Sequence, residues 1–404
     1  MRLYRWRDPP VVGVAILAAA AGFGQFGAVA ALGSVAKTFG HLSSGATFAD
    51  QAGLSGTVLG VGLAILRLAS LGGLPLAGLA DRFGRRTILL ATCAVGLALT
   101  VAAAASPSYW WFVAIFALGR PALSATTGVA QVSAAELTGT AERAKSIALV
   151  AAGYGVGAGL TAFIHSLAAS ALGFRGVFAL AAVPLVMLPL VRRLVVEPDR
   201  FRSSPEHGRP VIGPIGHEFR GRLFVVAALA FCVSVITGPA NSLVFVYAQN
   251  VRHVPGAATA AMVLGAGAAG LGGLLLGRFL ADRIGRRPTV ALAMTAMSLF
   301  GVLAYNGSTA ALIVGYIFGI MAASVFAPAG GSLANELFPT TVRASVAGWN
   351  IAAAVLGAVV GLLVFGAVAD VGRTAGLAAT VTFLPMIPAA ALLLLLPETR
   401  GREI

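Results

Sequence analysis

Long apolar runs separated by short polar turns make up most of the chain. A bilayer-spanning helix needs about 20 apolar residues. Measured that way, the chain holds twelve runs, at 10–36, 54–79, 88–106, 109–135, 146–168, 175–196, 223–248, 258–279, 289–306, 309–335, 345–369 and 375–396. Runs of this length are too long for strands, and lipid offers no partner for open backbone groups, so each is expected to be a helix. The pattern predicts an all-α membrane protein with twelve transmembrane helices, numbered here as spans 1 to 12. The first run follows a charged start (Arg2, Arg5, Arg7, Asp8) and far exceeds a signal-peptide core. It reads as an uncleaved span.

Composition agrees with this pattern. At 58% hydrophobic and 10% charged, with a mean hydropathy of +0.91, the chain is excluded from the water-soluble class. The net charge of +14 comes from 28 basic residues clustered between apolar runs, not along one face, which excludes nucleic acid as a partner. Lys37, Arg175, Arg252 and Arg373 fall on one side of the membrane, Arg67 and Arg120 lie well inside spans, and the other 22 basic residues fall on the opposite side. That asymmetry predicts an integral, multi-pass protein of the cell (plasma or inner) membrane with both termini cytoplasmic. Cys93 and Cys232 lie inside apolar runs, without metal-ligand spacing. No metal, cofactor or catalytic residue is expected. The stretch 197–222, with four prolines and a run of charges, divides the chain into residues 1–196, a cytoplasmic linker, and residues 223–404.

The two halves are copies. Leu79-Ala-Asp-Arg-Phe-Gly-Arg-Arg86 recurs as Leu280-Ala-Asp-Arg-Ile-Gly-Arg-Arg287, an offset of 201. Glu136 and Arg143 return as Glu336 and Arg343, and Glu197 returns as Glu398. A duplicated six-helix unit of this kind marks one class of secondary transporter. Gly78-Leu-Ala-Asp-Arg-Phe-Gly-Arg-Arg86 and its copy resemble the loop signature of the major facilitator superfamily. Glu336-Leu-Phe-Pro-Thr-Thr-Val-Arg343 and Pro397-Glu-Thr-Arg-Gly401 resemble its sugar-porter and metabolite:proton symporter branches. The resemblance implies the major facilitator fold, with two six-helix bundles rocking about a central cavity lined by spans 1, 4, 7 and 10. It also implies that spans 2, 5, 8 and 11, which carry glycine pairs Gly56/Gly60, Gly153/Gly157, Gly273/Gly277 and Gly357/Gly361, meet at the bundle interface.

The repeated charges predict a cytoplasmic gate of Asp81, Arg85, Arg86, Glu136, Arg143, Glu197, Asp282, Arg286, Arg287, Glu336, Arg343 and Glu398. Arginines there present forked donors to carboxylates, and Asp81 or Asp282 can face a helix N-terminus of the other bundle. Contacts made only when that side is closed would bias the two-state equilibrium, so neutralising Asp81 or Arg85 is expected to favour inward-open.

Within the membrane, Arg67 lies roughly 21 Å from Asp81, and Arg120 roughly 24 Å from Glu136, at 1.5 Å per helical residue. Both arginines are therefore expected at similar depth, where a charge is costly and by default functional. No Asp or Glu falls in the middle of a span. One reading is an anionic substrate held by guanidinium forks; the other is arginines that tie down backbone carbonyls, such as those freed by Pro121. Arg120, Ser124, Thr127 and Gln131 keep within about a 60° stripe of span 4. Ser234, Thr237 and Asn241 form a shorter stripe in span 7, and Gln25 is the strong polar group of span 1. These eight residues and Arg67 form the expected substrate site. Span 5 adds Tyr154, Thr161 and His165, the last expected to be structural.

Ala21 and Gly24 flank Gly22-Phe23 where aromatic-acid symporters carry carboxylates, and Gly153–Gly159 lacks the Gly-Pro pair of drug:proton antiporters. The missing pair disfavours drug efflux, and with no carboxylate in the middle of any span facilitative or exchange-driven movement is expected. The leading reading is a secondary active or facilitative transporter, working as a monomer in the lipid bilayer on a small-molecule substrate, an organic anion. Multidrug or sugar transport is the alternative within the fold. A non-transporting membrane sensor is the alternative outside it, and an enzyme is disfavoured because the scattered histidines and cysteines form no nucleophile or metal constellation.

Overall fold

The computed structural model describes residues 3–198, 215–339 and 342–399. Residues 199–214 of the expected linker lie outside it, as do Thr340, Thr341, Arg400 and Gly401 of the two family-like motifs. Twelve helices among the described residues are long and apolar enough to cross a membrane: Pro9–Ala30, Gly56–Phe83, Arg85–Ala103, Tyr109–Leu137, Thr140–Ala168, Ala171–Val191, His217–Val251, Gly256–Arg283, Arg286–Asn306, Thr309–Glu336, Ser345–Val371 and Ala375–Leu395. Each expected run has its helix. Spans 5 and 7 begin earlier than the apolar ruler places them, because Thr140–Lys145 and His217–Arg222 continue the helix in polar residues. Span 1 stops at Ala30, and a separate helix, Leu32–Phe39, completes that run.

Ser108, Ser308 and Thr374 start spans 4, 10 and 12 by accepting a backbone N–H from the third residue on, each satisfying one of the amides a helix start leaves open. The turns from span 2 to span 3 and from span 8 to span 9 pass through Gly84 (φ 95°) and Gly285 (φ 108°), a region closed to residues with a Cβ. The repeated glycine of the signature is therefore a backbone requirement.

Contacts divide the chain into two compact units, Met1–Val35 with Leu68–Pro210, and Ala36–Arg67 with Val211–Ile404. Residues 36–67, which the division at 197–222 puts in the first half, thus pack with the second. The reason is local chemistry. Gly56 and Gly60 lie bare against the backbone of span 11 at Gly366 and Leu362, and the Asp370 carboxylate accepts the Gly56 and Thr57 amides at 2.6 and 2.8 Å. Asn250 donates to the Ala52 carbonyl at 2.9 Å. Thr47 and Asp50 cap the short helix Phe48–Ala52 reciprocally, and the hydroxyls of Thr47 and Ser43 hold the Asp50 carboxyl below its ordinary value.

In the first unit, span 1 supplies Val14, Leu17 and Phe23 to a core shared with Leu89, Leu97 and Val129. Its tightest approach is to span 5, where Gly153 and Gly157 face the Ala15 and Ala19 carbonyls and Gly22 faces that of Tyr154. In the second unit, Gly357 and Gly361 admit span 7, while Gly273 and Gly277 admit span 10. The glycine pairs of spans 5, 8 and 11 therefore serve packing inside a unit, a correction to the interface role the resemblance implied. Without a hydrophobic drive between helices in lipid, close backbone approach is what holds them. Gly157→Ala is accordingly expected to lower the melting temperature of the purified protein, an overpacking cost of about 1–3 kcal/mol. Gly155→Ala, two residues away with nothing within 4 Å of its would-be Cβ, is expected to leave it unchanged or raise it. Equal shifts in the two variants would refute the packing assignment.

Candidate functional site

The polar groups of the first unit converge on Gln25. Its side chain is buried and donates through Nε2 to the Leu123 carbonyl (2.8 Å) and to Thr127 Oγ1 (3.0 Å), across from span 1 to span 4. Arg120 Nη1 donates to the Gln25 carbonyl at 3.0 Å, and the Tyr154 hydroxyl reaches Gln25 Oε1 at 3.5 Å. Gln25, Arg120 and Thr127 thus form one network, and span 5 contributes Tyr154. The carbonyl that Arg120 engages belongs to span 1 and not to the turn of span 4 that Pro121 disrupts. The guanidinium carries five donors in a planar fork. Ser124 packs against Gly73 of span 2, and Gln131 is exposed, so the span-4 stripe is shared between different neighbours.

Arg67 is half-buried and lies in the second unit, whereas Arg120 lies in the first. His165 is fully buried, with Nε2 3.1 Å from Ser34 Oγ.

In the second unit, Thr237 and Asn241 of span 7 line a small cavity of about 20 Å³ together with Tyr305 and Tyr316. The Tyr305 hydroxyl lies 3.4 Å from the Pro239 and Ala240 carbonyls, and Tyr247 donates to the Tyr305 carbonyl at 2.8 Å. Ser234 is half-buried one turn away from Thr237 and is not among the lining residues. Tyr305 and Tyr316 escaped the sequence reading. A signal existed, since the chain has only six tyrosines and these two fall inside apolar runs, where a buried hydroxyl must find a partner.

The repeated charges assemble within each unit. In the first, Arg85 donates through Nε and Nη2 to both oxygens of Glu136 (3.1 and 3.0 Å) and pairs through Nη1 with Asp81. The Glu197 carboxylate accepts the Arg85 and Arg86 amides at 2.6 and 3.0 Å, capping span 3. In the second, Arg286 pairs with Asp282 (3.1 Å) and Glu336 (3.3 Å), and Glu398 accepts the Arg286 and Arg287 amides at 2.9 and 3.1 Å. Thr399 donates to the other Glu336 oxygen. Arg143 is half-buried, and Arg343 donates to the Phe338 carbonyl at 2.9 Å. The expected gate pairs are thus internal to a unit. A pair whose two members move together does not by itself distinguish two states of the whole protein, so the bias argued from the sequence does not follow from these contacts.

Twelve apolar helices, duplicated charge clusters and buried polar networks inside the spans define an integral, multi-pass membrane protein of the transporter class. The Major Facilitator Superfamily model matches residues 14–281 and 268–404, and the chain belongs to that family. A probable 4-methylmuconolactone transporter of Cupriavidus pinatubonensis is 26% identical over 87% of this chain and 84% of that protein. A putative metabolite transport protein of Haemophilus influenzae is 24% identical over 83% and 86%. Among solved structures, the E. coli xylose transporter XylE in its inward-open conformation superposes with a TM-score of 0.76 at 17% identity, covering 97% of each chain. The nucleoside transporter NupG gives 0.69 at 16%, over 95% and 96%. The fold is that of the superfamily, and the family moves small metabolites.

Proposed function

We propose that the chain carries a small organic anion across the membrane by alternating access, with both termini in the cytoplasm. The observation that carries this reading is Arg120, a guanidinium well inside span 4, fixed by the Gln25 carbonyl in a network with Thr127 and Tyr154. Chains of apolar residues do not retain such a charge without use, and a planar fork matches a carboxylate. The relative from Cupriavidus pinatubonensis agrees in chemistry, since the lactone of a muconic acid keeps one of its two carboxylates. Thr237, Asn241, Tyr305 and Tyr316 place neutral hydrogen-bonding groups around a cavity of the second unit. The clusters around Arg85 and Arg286 brace each half so that it moves as one body.

A second reading rests on the same hydrogen bond. If Arg120 serves only to tie span 4 to span 1, the substrate is a neutral metabolite such as a sugar. The deciding experiment is uptake of radiolabelled 4-methylmuconolactone into proteoliposomes, in competition with its unlabelled acid and its neutral methyl ester. The acid is expected to compete at least about tenfold better than the ester, the value of one charge-assisted hydrogen bond. Counterflow is expected without a proton gradient. Equal competition by acid and ester would favour the neutral substrate.

A further inference from the structure

In the first unit, spans 1, 5 and 6 form a groove of about 310 Å³ lined only by apolar residues. Its floor is made of small residues, Ala19, Ala20 and Gly157, because span 5 approaches span 1 so closely there. Its rim includes Val156 and Met187, which are 67% and 49% exposed. Along span 6 the groove runs from Leu180 to Val191, roughly 16 Å at the helical rise. That is about half of a 30 Å hydrocarbon core, the depth of one leaflet.

Two charged residues follow the groove at its Val191 end. Arg192 and Arg193 follow Val191 directly and are both exposed, and Arg86 Nη2 donates to the Arg192 carbonyl at 3.0 Å. The carboxylate nearest in this segment, Glu197, has both oxygens on the Arg85 and Arg86 amides. Guanidinium groups at the end of a span sit at headgroup depth and attract anionic lipid.

We propose that this groove is a binding site for an anionic glycerophospholipid, with an acyl chain along Ala19, Ala20 and Gly157 and its phosphate on Arg192 and Arg193. The site joins spans 1, 5 and 6 by a non-covalent strap at the end where the braced Arg85 cluster stands. It is independent of the nature of the transported substrate.

The test is native mass spectrometry of the detergent-purified full chain with equimolar phosphatidylglycerol and phosphatidylcholine of identical acyl chains. Wild type is expected to retain phosphatidylglycerol about tenfold or more over phosphatidylcholine. The double substitution Arg192→Gln with Arg193→Gln is expected to bring that ratio to about one. Val156→Trp, which fills the groove from its rim, is expected to lower retention of both lipids; Met187→Trp repeats this at a second position should the first variant fail to fold. Equal retention of the two lipids by wild type, an unchanged preference in the arginine variant, or unchanged retention in both tryptophan variants would each overturn the proposal.

Discussion

Replacing Arg120 by glutamine is expected to lower uptake of an anionic substrate by roughly 10- to 100-fold, the loss of one charge-assisted hydrogen bond of about 1.5–3 kcal/mol. Lysine at the same position keeps the charge but not the planar fork, so Arg120→Lys is expected to fall between wild type and the glutamine variant. The neutral methyl ester is expected to lose its disadvantage in the glutamine variant, because the group that recognised the carboxylate is gone. Melting temperature must be measured on the same preparations. Arg120 also holds the Gln25 carbonyl at 3.0 Å, and loss of that bond alone destabilises the contact between spans 1 and 4. Lowered melting temperature with intact affinity in both variants would assign Arg120 to packing and remove the anion.

The sequence and the structure agree where the determinant is local. Twelve spans are legible because the bilayer imposes a minimum apolar length on each, independent of what a helix packs against. The repeated glycine is legible because a turn is local: Gly84 and Gly285 are needed for a positive φ, whereas Glu197 and Glu398 cap helices that begin 112 residues earlier and were visible only through the repeat. What the sequence could not show is which helix each element touches. Apart from the stripes of spans 4 and 7, these spans are apolar nearly all round, so no polar stripe marks the face that packs. Gly153/Gly157 and Gly357/Gly361 announce a close approach but not its partner, and the partners turned out to be spans 1 and 7. The docking of residues 36–67 in the second unit rests partly on Gly56 and Gly60, a glycine pair visible in the sequence, and partly on the backbone amides of Gly56 and Thr57 held by Asp370, which carry no sequence signal. The same holds in the candidate site. Gln25 and Thr127 were visible as polar residues, whereas the bond from Arg120 to a main-chain oxygen was visible only as one of two readings.

The two copies of the charge cluster differ in geometry, and stability should register the difference. Arg85 and Glu136 form a two-bond fork at 3.1 and 3.0 Å with side chains 14% and 22% exposed, whereas Arg286 reaches Glu336 through one nitrogen at 3.3 Å, with 15% and 29% exposed. A forked guanidinium–carboxylate pair adds energy and geometric specificity over a single contact, and partial burial limits screening by solvent. A double-mutant cycle with Arg85→Gln and Glu136→Gln is expected to give a coupling of about 1–3 kcal/mol, and the cycle with Arg286→Gln and Glu336→Gln less than about 1 kcal/mol. Because Asp81 and Asp282 remain in both cycles, the coupling isolates the contact with the glutamate on span 4 or span 10. Equal couplings would show that the fork adds nothing. The cycle also separates a brace from a gate. Both members of each pair lie in one unit, so Glu136→Gln is expected to lower melting temperature while leaving the distribution of spin-label distances between spans 4 and 10 unchanged. A shift of that distribution with no loss of stability would return the cluster to the gating role that its position in the sequence first suggested.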